Sequence, residues 1–390
     1  MNKVSRVAIV GAGLGGLCLA QGLRKRGISS VLYERDASAW ERPQGYRLHL
    51  DADGINAIHA TLTPARFRLF DATSMKAAPF TTIVDTSLAV RVRRSHDEHG
   101  GTSTRVVDGL PEHVNVNRAT LREVLLGDLD VRFGKTLATF EEHTDGVTLA
   151  FADGSRAEAD ILVGADGIRS IVRTQRAPRA TTQDSGVRAI YGRIPFSVAT
   201  QCLPKQARED IFTVAVDERK CFLGLGPVVF PERPSGLGLR PQDDYVVCIV
   251  GGRRELFGDD EQTRRMKPTE LRSLGDHVLS AWPESTRVIL AHADPRAFFF
   301  VEMHTSVPTA LPPPRRSTLL GDAIHAMTPT LGRGANLAMR DGANLANCIA
   351  NGADLAAYEV EMLRYGFDVV RSAADMGTRL MGQSPLPKPS

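Results

Sequence analysis

Val7-Ala8-Ile9-Val10-Gly11-Ala12-Gly13-Leu14-Gly15-Gly16 decides the fold. The β-branched run Val7 to Val10 stops at Gly11, as a buried parallel strand does. Leu14 to Arg26 then carries good helix formers until Gly27 supplies a C-cap. The segment is therefore a strand, a glycine turn and a helix. Gly11 permits the tight turn, Gly13 lets the backbone approach a pyrophosphate, and Gly16 lets helix and strand pack closely. Leu14 stands at the helix start, where free N–H groups face the phosphates. A second strand, Ser30-Val31-Leu32-Tyr33, ends at Glu34, a carboxylate placed to accept the hydroxyls of an adenosine ribose. Arg35 either stacks on the adenine, faces a phosphate, or points to solvent. Taken alone, such a turn serves NAD and FAD proteins alike.

Two further segments narrow the reading. Val147 to Phe151 and Ala159 to Val163 flank the turn Asp153-Gly154 and read as a hairpin. The second of these strands runs into Gly164-Ala165-Asp166-Gly167, where flanking glycines suggest a backbone closely approached by a ligand, or a plain strand-to-helix turn. Ser317 to Leu320 is a buried-strand pattern that delivers Gly321-Asp322 at its C-terminal end, where ligands sit in parallel sheets. Pro329 to Ala335 is a glycine- and proline-rich loop, and Asn336 to Ile349 reads as a helix. That loop aims backbone N–H groups and the positive end of a helix dipole at one spot.

The set GAGLGG, DILVGADGIRSIVR and GDAIHAMTPTLGRGAN resembles the class A FAD-dependent monooxygenases, the p-hydroxybenzoate hydroxylase-like family, close in size to its tetracycline-inactivating and salicylate-type members. The resemblance spans residues 1 to about 350 and is weakest in the middle. It implies an α/β fold with a Rossmann-like FAD-binding lobe (GR2-type), an antiparallel β-sheet substrate lobe and a C-terminal helix. The expected division is 1–75, 100–175 and 300–350 for FAD, 76–99 and 176–299 for substrate, and 351–390 for the last helix and tail. Asp322 would bind the ribityl chain. Pro329 and Gly332 would border the isoalloxazine, and the N–H groups around Gly334, Ala335 and Asn336 would face its N1 and O2. Arg118, in Asn117-Arg118-Ala119-Thr120-Leu121, would contact FAD between its two halves. Arg47, in Gly45-Tyr46-Arg47-Leu48, falls where relatives also touch flavin, and Asp166 would lie near FAD and the route of the nicotinamide cofactor. Where the family most often has glutamine, this chain has Arg333, which either favours an anionic reduced flavin or points to solvent.

Between about 176 and 300 the pattern turns to short alternating runs. Phe212, Val214 and Val216 share one strand face before the turn Asp217 to Lys220, and Cys221, Leu223 and Leu225 alternate after it. Tyr191, Phe212, Phe222 and Pro329 are the candidates for contact with substrate, because pockets are mostly apolar with few polar groups. His304 and His325 read as structural histidines. Leu355 to Met381 reads as a final amphipathic helix, and Ser384 to Ser390 as a loose tail.

Bulk properties exclude other classes. The 390 residues carry a net charge of +3 without a lysine/arginine-rich block, which leaves no footprint for nucleic acid. No window approaches the ~20 apolar residues of a membrane span. Lys3, Arg6 and the apolar run after them imitate a secretory signal, but glycines break the run. The five cysteines are scattered without a CxxC pair, so no metal and a reduced, cytoplasmic setting are expected. The expected cofactors are non-covalent FAD, NADPH or NADH as transient reductant, and O2, which the flavin activates at C4a. The flavin carries the chemistry, so no catalytic acid or base is assigned. The expected partner is a small molecule, in a monomer or homodimer, with hydroxylation and epoxidation both open. A nicotinamide dehydrogenase has no use for Gly321-Asp322 and the Pro329 loop, and a flavin halogenase would carry a WxWxIP signature that is absent here. A degenerate FAD protein that sequesters a labile intermediate would look almost the same in sequence.

Overall fold

The computed structural model describes residues 6–41, 46–96, 107, 109–352 and 354–387. Lys3, Gly45, the expected boundary at residue 100 and the last three residues of the tail lie outside them.

The chain opens with β1 (Arg6–Val10), α1 (Leu14–Lys25) and β2 (Ser29–Tyr33), as the glycine turn requires. An antiparallel ribbon of β3 (Arg47–Leu50) and a later strand carries the chain past α2 (Ala52–Thr61) and α3 (Pro64–Thr73). β4 (Ala78–Val84) and β5 (Val90–Ser95) then leave for the other lobe. The chain returns with β6 (Val114–Asn117), the partner of β3, followed by α4 (Arg118–Leu126) and β7 (Val131–Arg132). β8 (Leu137–Glu142), β9 (Val147–Phe151) and β10 (Arg156–Ala159) form a small antiparallel sheet, and β11 (Ile161–Gly164) leads to α5 (Ile171–Arg176).

The expected hairpin is therefore corrected. Its second strand is split at Asp160: β10 pairs with β9, whereas β11 pairs in parallel with β1. Ile161, Leu162 and Val163 are all buried, a run that suits a parallel sheet covered on both faces, whereas Arg156 to Ala159 alternates in exposure.

The second lobe is built on β12 (Thr182–Pro195), β13 (Asp210–Val216), β14 (Phe222–Val228), β15 (Tyr245–Arg253) and β16 (Phe299–Ser306). Together with β4 and β5 they form a seven-stranded sheet in the order β16-β12-β15-β14-β13-β4-β5. It is antiparallel except where β13 runs parallel to β4. One face is covered by α6 (Phe196–Cys202), α7 (Lys205–Glu209), α8 (Asp260–Arg265), α9 (Pro268–Val278) and α10 (Glu284–Arg287), over a core that includes Leu223, Leu225, Val250 and Trp282. The opposite face carries Tyr191, Val214, Phe222 and Ile249.

The chain ends with β17 (Ser317–Leu319), α11 (Asp322–His325), α12 (Gly334–Ala350) and α13 (Leu355–Met381). β17 completes the five-stranded parallel sheet β17-β11-β1-β2-β7. α1 and α12 cross over it at glycines. A Cβ on Gly342 would stand 2.7 Å from the Gly15 carbonyl oxygen, and one on Gly15 would stand 2.8 Å from that of Ala338. This close approach brings the N-terminal ends of both helices into one cleft. The described part of the tail is not loose: the Ser384 N–H donates to Ser185 O at 2.8 Å, and Leu386 packs on the main core. Extended residues with free N–H groups gain here by pairing with the bulged start of β12.

Candidate cofactor cleft and substrate pocket

At the first helix the backbone is arranged around a buried carboxylate. Glu34 accepts the Ala12 N–H at 2.9 Å and the Asp36 N–H at 3.1 Å. Arg122, buried on α4, donates from Nε to the Ala12 carbonyl at 3.0 Å and from the other end of its guanidinium to Ala39 O. Arg122 was not anticipated, although Arg118 and Arg122 stand one helical turn apart, the spacing that places both on one face. Gly13 is the N-cap of α1 and offers no side-chain cap, so the first N–H groups keep their donors for a ligand. A Cβ on Gly13 would meet nothing within 4 Å, so the turn opens onto space. Arg35 is exposed, and Arg118 is half-buried at the start of α4, its N–H donating to Tyr46 O at 2.7 Å.

The middle segment delivers Asp166 just past β11. One of its oxygens accepts the N–H groups of Ile171 at 2.8 Å and Val172 at 3.3 Å, whereas Oδ1 is buried without a partner. Burial pushes its pKa up. A second carboxylate organises the late segment from below. Asp341 on α12, fully buried, accepts the Gly321 N–H at 2.8 Å and His325 Nε2 at 2.6 Å on one oxygen, and the Tyr365 hydroxyl on the other. His325 is thus structural. Burial, the largest single influence, lowers its pKa, but the Asp341 charge and hydrogen bond, the Asp322 charge and a backbone hydrogen bond together outweigh it and raise it. Asp322 itself is exposed toward the cleft side of this turn, with Gly334 close by.

The loop before α12 is held by Asn336. Its amide donates to His49 O at 3.0 Å and Gly332 O at 2.9 Å, and its oxygen accepts the Asp51 N–H at 3.1 Å. Like α1, α12 starts without a side-chain cap, in its case at Arg333. Arg333 does not point to solvent. It is 12% exposed and pairs with Asp51 at 2.8 Å and with Asp53, so its charge is matched by two carboxylates on the α2 start. Burial still pushes Asp51 up to about 6, with Arg333 pulling the other way.

Over the cleft stands the inner face of the seven-stranded sheet. Tyr191 stacks on Phe299 with ring centroids 5.3 Å apart, and burial raises its hydroxyl to about 12. Phe212 is half-buried, with the Arg47 guanidinium 5.3 Å from its ring centre. Phe222 is almost fully buried among Val187, Ala189 and Met303, and Pro329 is exposed. Arg47 reaches toward this sheet, donating to Asn115 Oδ1 at 2.7 Å and to Ile211 O. Burial pulls its pKa down to about 9.

Two uncapped helix starts on one cleft, a buried acidic residue at the end of β2 and an apolar sheet face opposite are what an extended dinucleotide with a reactive ring requires. Residues 4–365 match the family described as FAD binding domain. The chain belongs to that family, which is that of the class A FAD-dependent monooxygenases. Among curated relatives, the dual O-methyltransferase/FAD-dependent monooxygenase elcB of Phaeosphaeria nodorum is 32% identical over 388 residues, covering 90% of this chain and 41% of its own length. Zeaxanthin epoxidase of Solanum lycopersicum is 27% identical over 351 residues, covering 88% of this chain and 48% of the relative. The chain therefore spans less than half the length of these relatives. Among solved structures, a Photorhabdus luminescens protein assigned as an FAD-containing monooxygenase superposes with a TM-score of 0.81 at 26% identity, covering 97% of this chain and 98% of that one. Klebsiella pneumoniae HpxO, complexed with FAD and uric acid, shares the fold with a TM-score of 0.75 at 22% identity, covering 97% of this chain and 89% of that one. Among the described residues no helix is long and apolar enough to cross a membrane.

Proposed function

We propose that this chain is a cytoplasmic, FAD-dependent and NAD(P)H-consuming monooxygenase that places one oxygen atom from O2 into an aromatic or unsaturated small molecule. One observation carries the reading: α1 and α12 open, uncapped, on one cleft beneath an apolar sheet face. The proposed FAD unit contains the five-stranded parallel sheet and α12. The substrate unit contains the seven-stranded sheet, including β4 and β5, and α13 lies across both.

FAD, once bound, supplies hydride acceptance from NADPH or NADH and the activation of O2. The chain's own residues hold and orient it. Gly11, Gly13, Leu14 and Gly16 form the turn that receives the pyrophosphate, and Glu34 presents a carboxylate to the ribose. Arg35 and Arg118 flank the adenosine and its link to the ribityl chain. Asp322 faces that chain, and Asp166 brings a buried, unpartnered carboxylate oxygen to the same cleft. The N–H groups of Gly334, Ala335 and Asn336 lie at a helix start, where developing negative charge on a ring is stabilised. Pro329 and Gly332 border the ring. Arg47 braces β3 against the substrate sheet, so its part in binding flavin is to fix the strand that lines the cleft. Tyr191, Phe212 and Phe222 exclude water on the substrate side.

The test is direct. Purified protein is expected to be yellow and to release intact FAD on heat denaturation. With substrate and NAD(P)H under 18O-labelled dioxygen, one labelled atom should enter product and the other water. Flavin that is never reduced by either nicotinamide, or product without label, removes the oxygenase reading in favour of a flavin protein that only sequesters its ligand.

A further inference from the structure

Three histidines from distant parts of the chain converge beside this cleft. His49 lies on β3, two residues after Arg47 and on the same strand face. His96 follows β5, and His113 precedes β6. Their ring centres form a nearly regular triangle: 5.1 Å from His49 to His96, 5.1 Å from His49 to His113 and 5.2 Å from His96 to His113. One ligand-capable nitrogen from each lies within 4.8 Å of the others. His49 Nε2 and His113 Nδ1 are already 3.0 Å apart, and His96 Nε2 is 2.8 Å from Thr81 Oγ1.

We propose that His49, His96 and His113 form a binding site for a divalent transition-metal cation with high affinity for imidazole, of the Zn2+ or Cu2+ kind. A metal–nitrogen bond of ~2.0–2.1 Å places the ligand nitrogens of a tetrahedral site ~3.4 Å apart, so the widest pair closes by about 1.4 Å, shared between two rings. The scattered cysteines argue against a metal, but the three histidines, which belong to no local motif, escape that reasoning. The charges nearby decide which cation fits. Among the described residues, Arg333 is matched by Asp51 and Asp53, Arg47 remains as a like charge, and the ligand group is made of imidazoles. Hard cations that need oxygen ligands, Mg2+ and Ca2+, are therefore disfavoured.

The position gives the site a use. A Cβ on Gly332 would stand 3.8 Å from His49 Nδ1, so the cluster adjoins the loop that opens α12. Three protein ligands leave open positions for water or for an anionic oxygen of a small molecule in the cleft, such as a phenolate or enolate. This inference rests on the histidine geometry and not on the identity of the flavin reaction, so either can fail without the other.

The experiment uses the full-length flavoprotein after chelator treatment, titrated with ZnCl2 by calorimetry, and Cu2+ electron paramagnetic resonance on the same preparation. Oxidised flavin is silent in that measurement. One Zn2+ per chain and a Cu2+ signal split by nitrogen ligands are expected. His49→Asn, His96→Asn and His113→Asn should each weaken Zn2+ at least tenfold at unchanged flavin content, whereas His277→Asn, at an exposed histidine on α9, should leave it unchanged. Absence of stoichiometric Zn2+ binding, a Cu2+ signal without nitrogen splitting, or equal loss in the His277 variant overturns the site. Because the wild-type measurements decide the first two outcomes, a variant that fails to fold does not rescue the proposal.

Discussion

The starts of α1 and α12 differ from those of α2, α4 and α13 in one respect. Asp51 caps α2 by accepting Asp53 N–H at 3.0 Å, Asn117 caps α4 through Thr120 N–H at 2.9 Å, and Asp354 caps α13 through Ala356 N–H at 3.0 Å. α1 and α12 begin at Gly13 and Arg333 without any such bond. A helix whose first N–H groups are satisfied by its own side chain has nothing left to offer a ligand. α6, α7, α10 and α11 also start without a side-chain cap, but α1 and α12 are the pair whose first turns approach each other, at Gly15 and Ala338, with their donors in reserve. Among these five helices, the contrast separates those that build the fold from those that build the site.

The largest effect should come from breaking the uncapped turn itself. Gly11 has φ of 106°, and an added Cβ would stand 2.3 Å from the Ala165 carbonyl oxygen and 2.9 Å from Asp166 Cα. Backbone strain and overpacking together should cost Gly11→Ala about 2–5 kcal/mol of stability, with loss of FAD. A urea unfolding midpoint close to wild type would show that the turn tolerates a side chain and is not closely packed on β11.

The capped start of α2 carries a different cost, visible in pH. Asp51 has its pKa raised by burial from 3.8 to about 6, against the pull of Arg333. Between these values the folded state binds the proton more tightly than the unfolded chain, so stability falls as pH rises through the window and is level above it. The span is on the order of 3 kcal/mol. Asp51→Asn retains the cap and should flatten that slope, measured as the difference between variant and wild-type urea midpoints from about pH 4 to pH 7. Parallel profiles would mean that Asp51 keeps an ordinary carboxylate pKa.

Gly13→Ala sharpens the comparison from the other side. Its backbone is extended, and the added methyl group meets nothing within 4 Å. Stability without cofactor should stay within about 0.5 kcal/mol of wild type. FAD affinity should fall at least about tenfold, ~1.4 kcal/mol, because the methyl group occupies the space in front of the α1 donors. A titration of apoprotein with FAD that matches wild type would move the pyrophosphate away from this helix.

Local chemistry made part of this legible. The glycine turn, α1, α12 and α13 follow from period and punctuation, and α13 runs over Leu355–Met381, the residues the sequence pattern marks. What escaped was set by partners far along the chain. Arg333 meets Asp53 across 280 residues, and no local pattern tells a solvent-facing arginine from one with two carboxylates waiting. The break at Asp160 escaped because a single carboxylate inside a short run does not by itself end a strand, and only the pairing of β11 with β1 shows where one sheet stops and another begins. The histidine triangle has the same character: each imidazole is unremarkable in its own segment.

The smallest effect tests the other half of the comparison. Asp354 is exposed, and its side chain serves the first turn of α13 alone, so Asp354→Ala removes one cap and should cost about 1 kcal/mol. The loss should appear in the urea midpoint and not in FAD affinity, because the start of α13 is separated from the α12 start by the whole length of α12. The later turns of α13 still hold Asp341 through Tyr365, and one weakened cap leaves that bond in place. FAD affinity falling in proportion to stability would show that capped and uncapped helix starts are energetically coupled, and the division between fold-building and site-building helices would have to be abandoned.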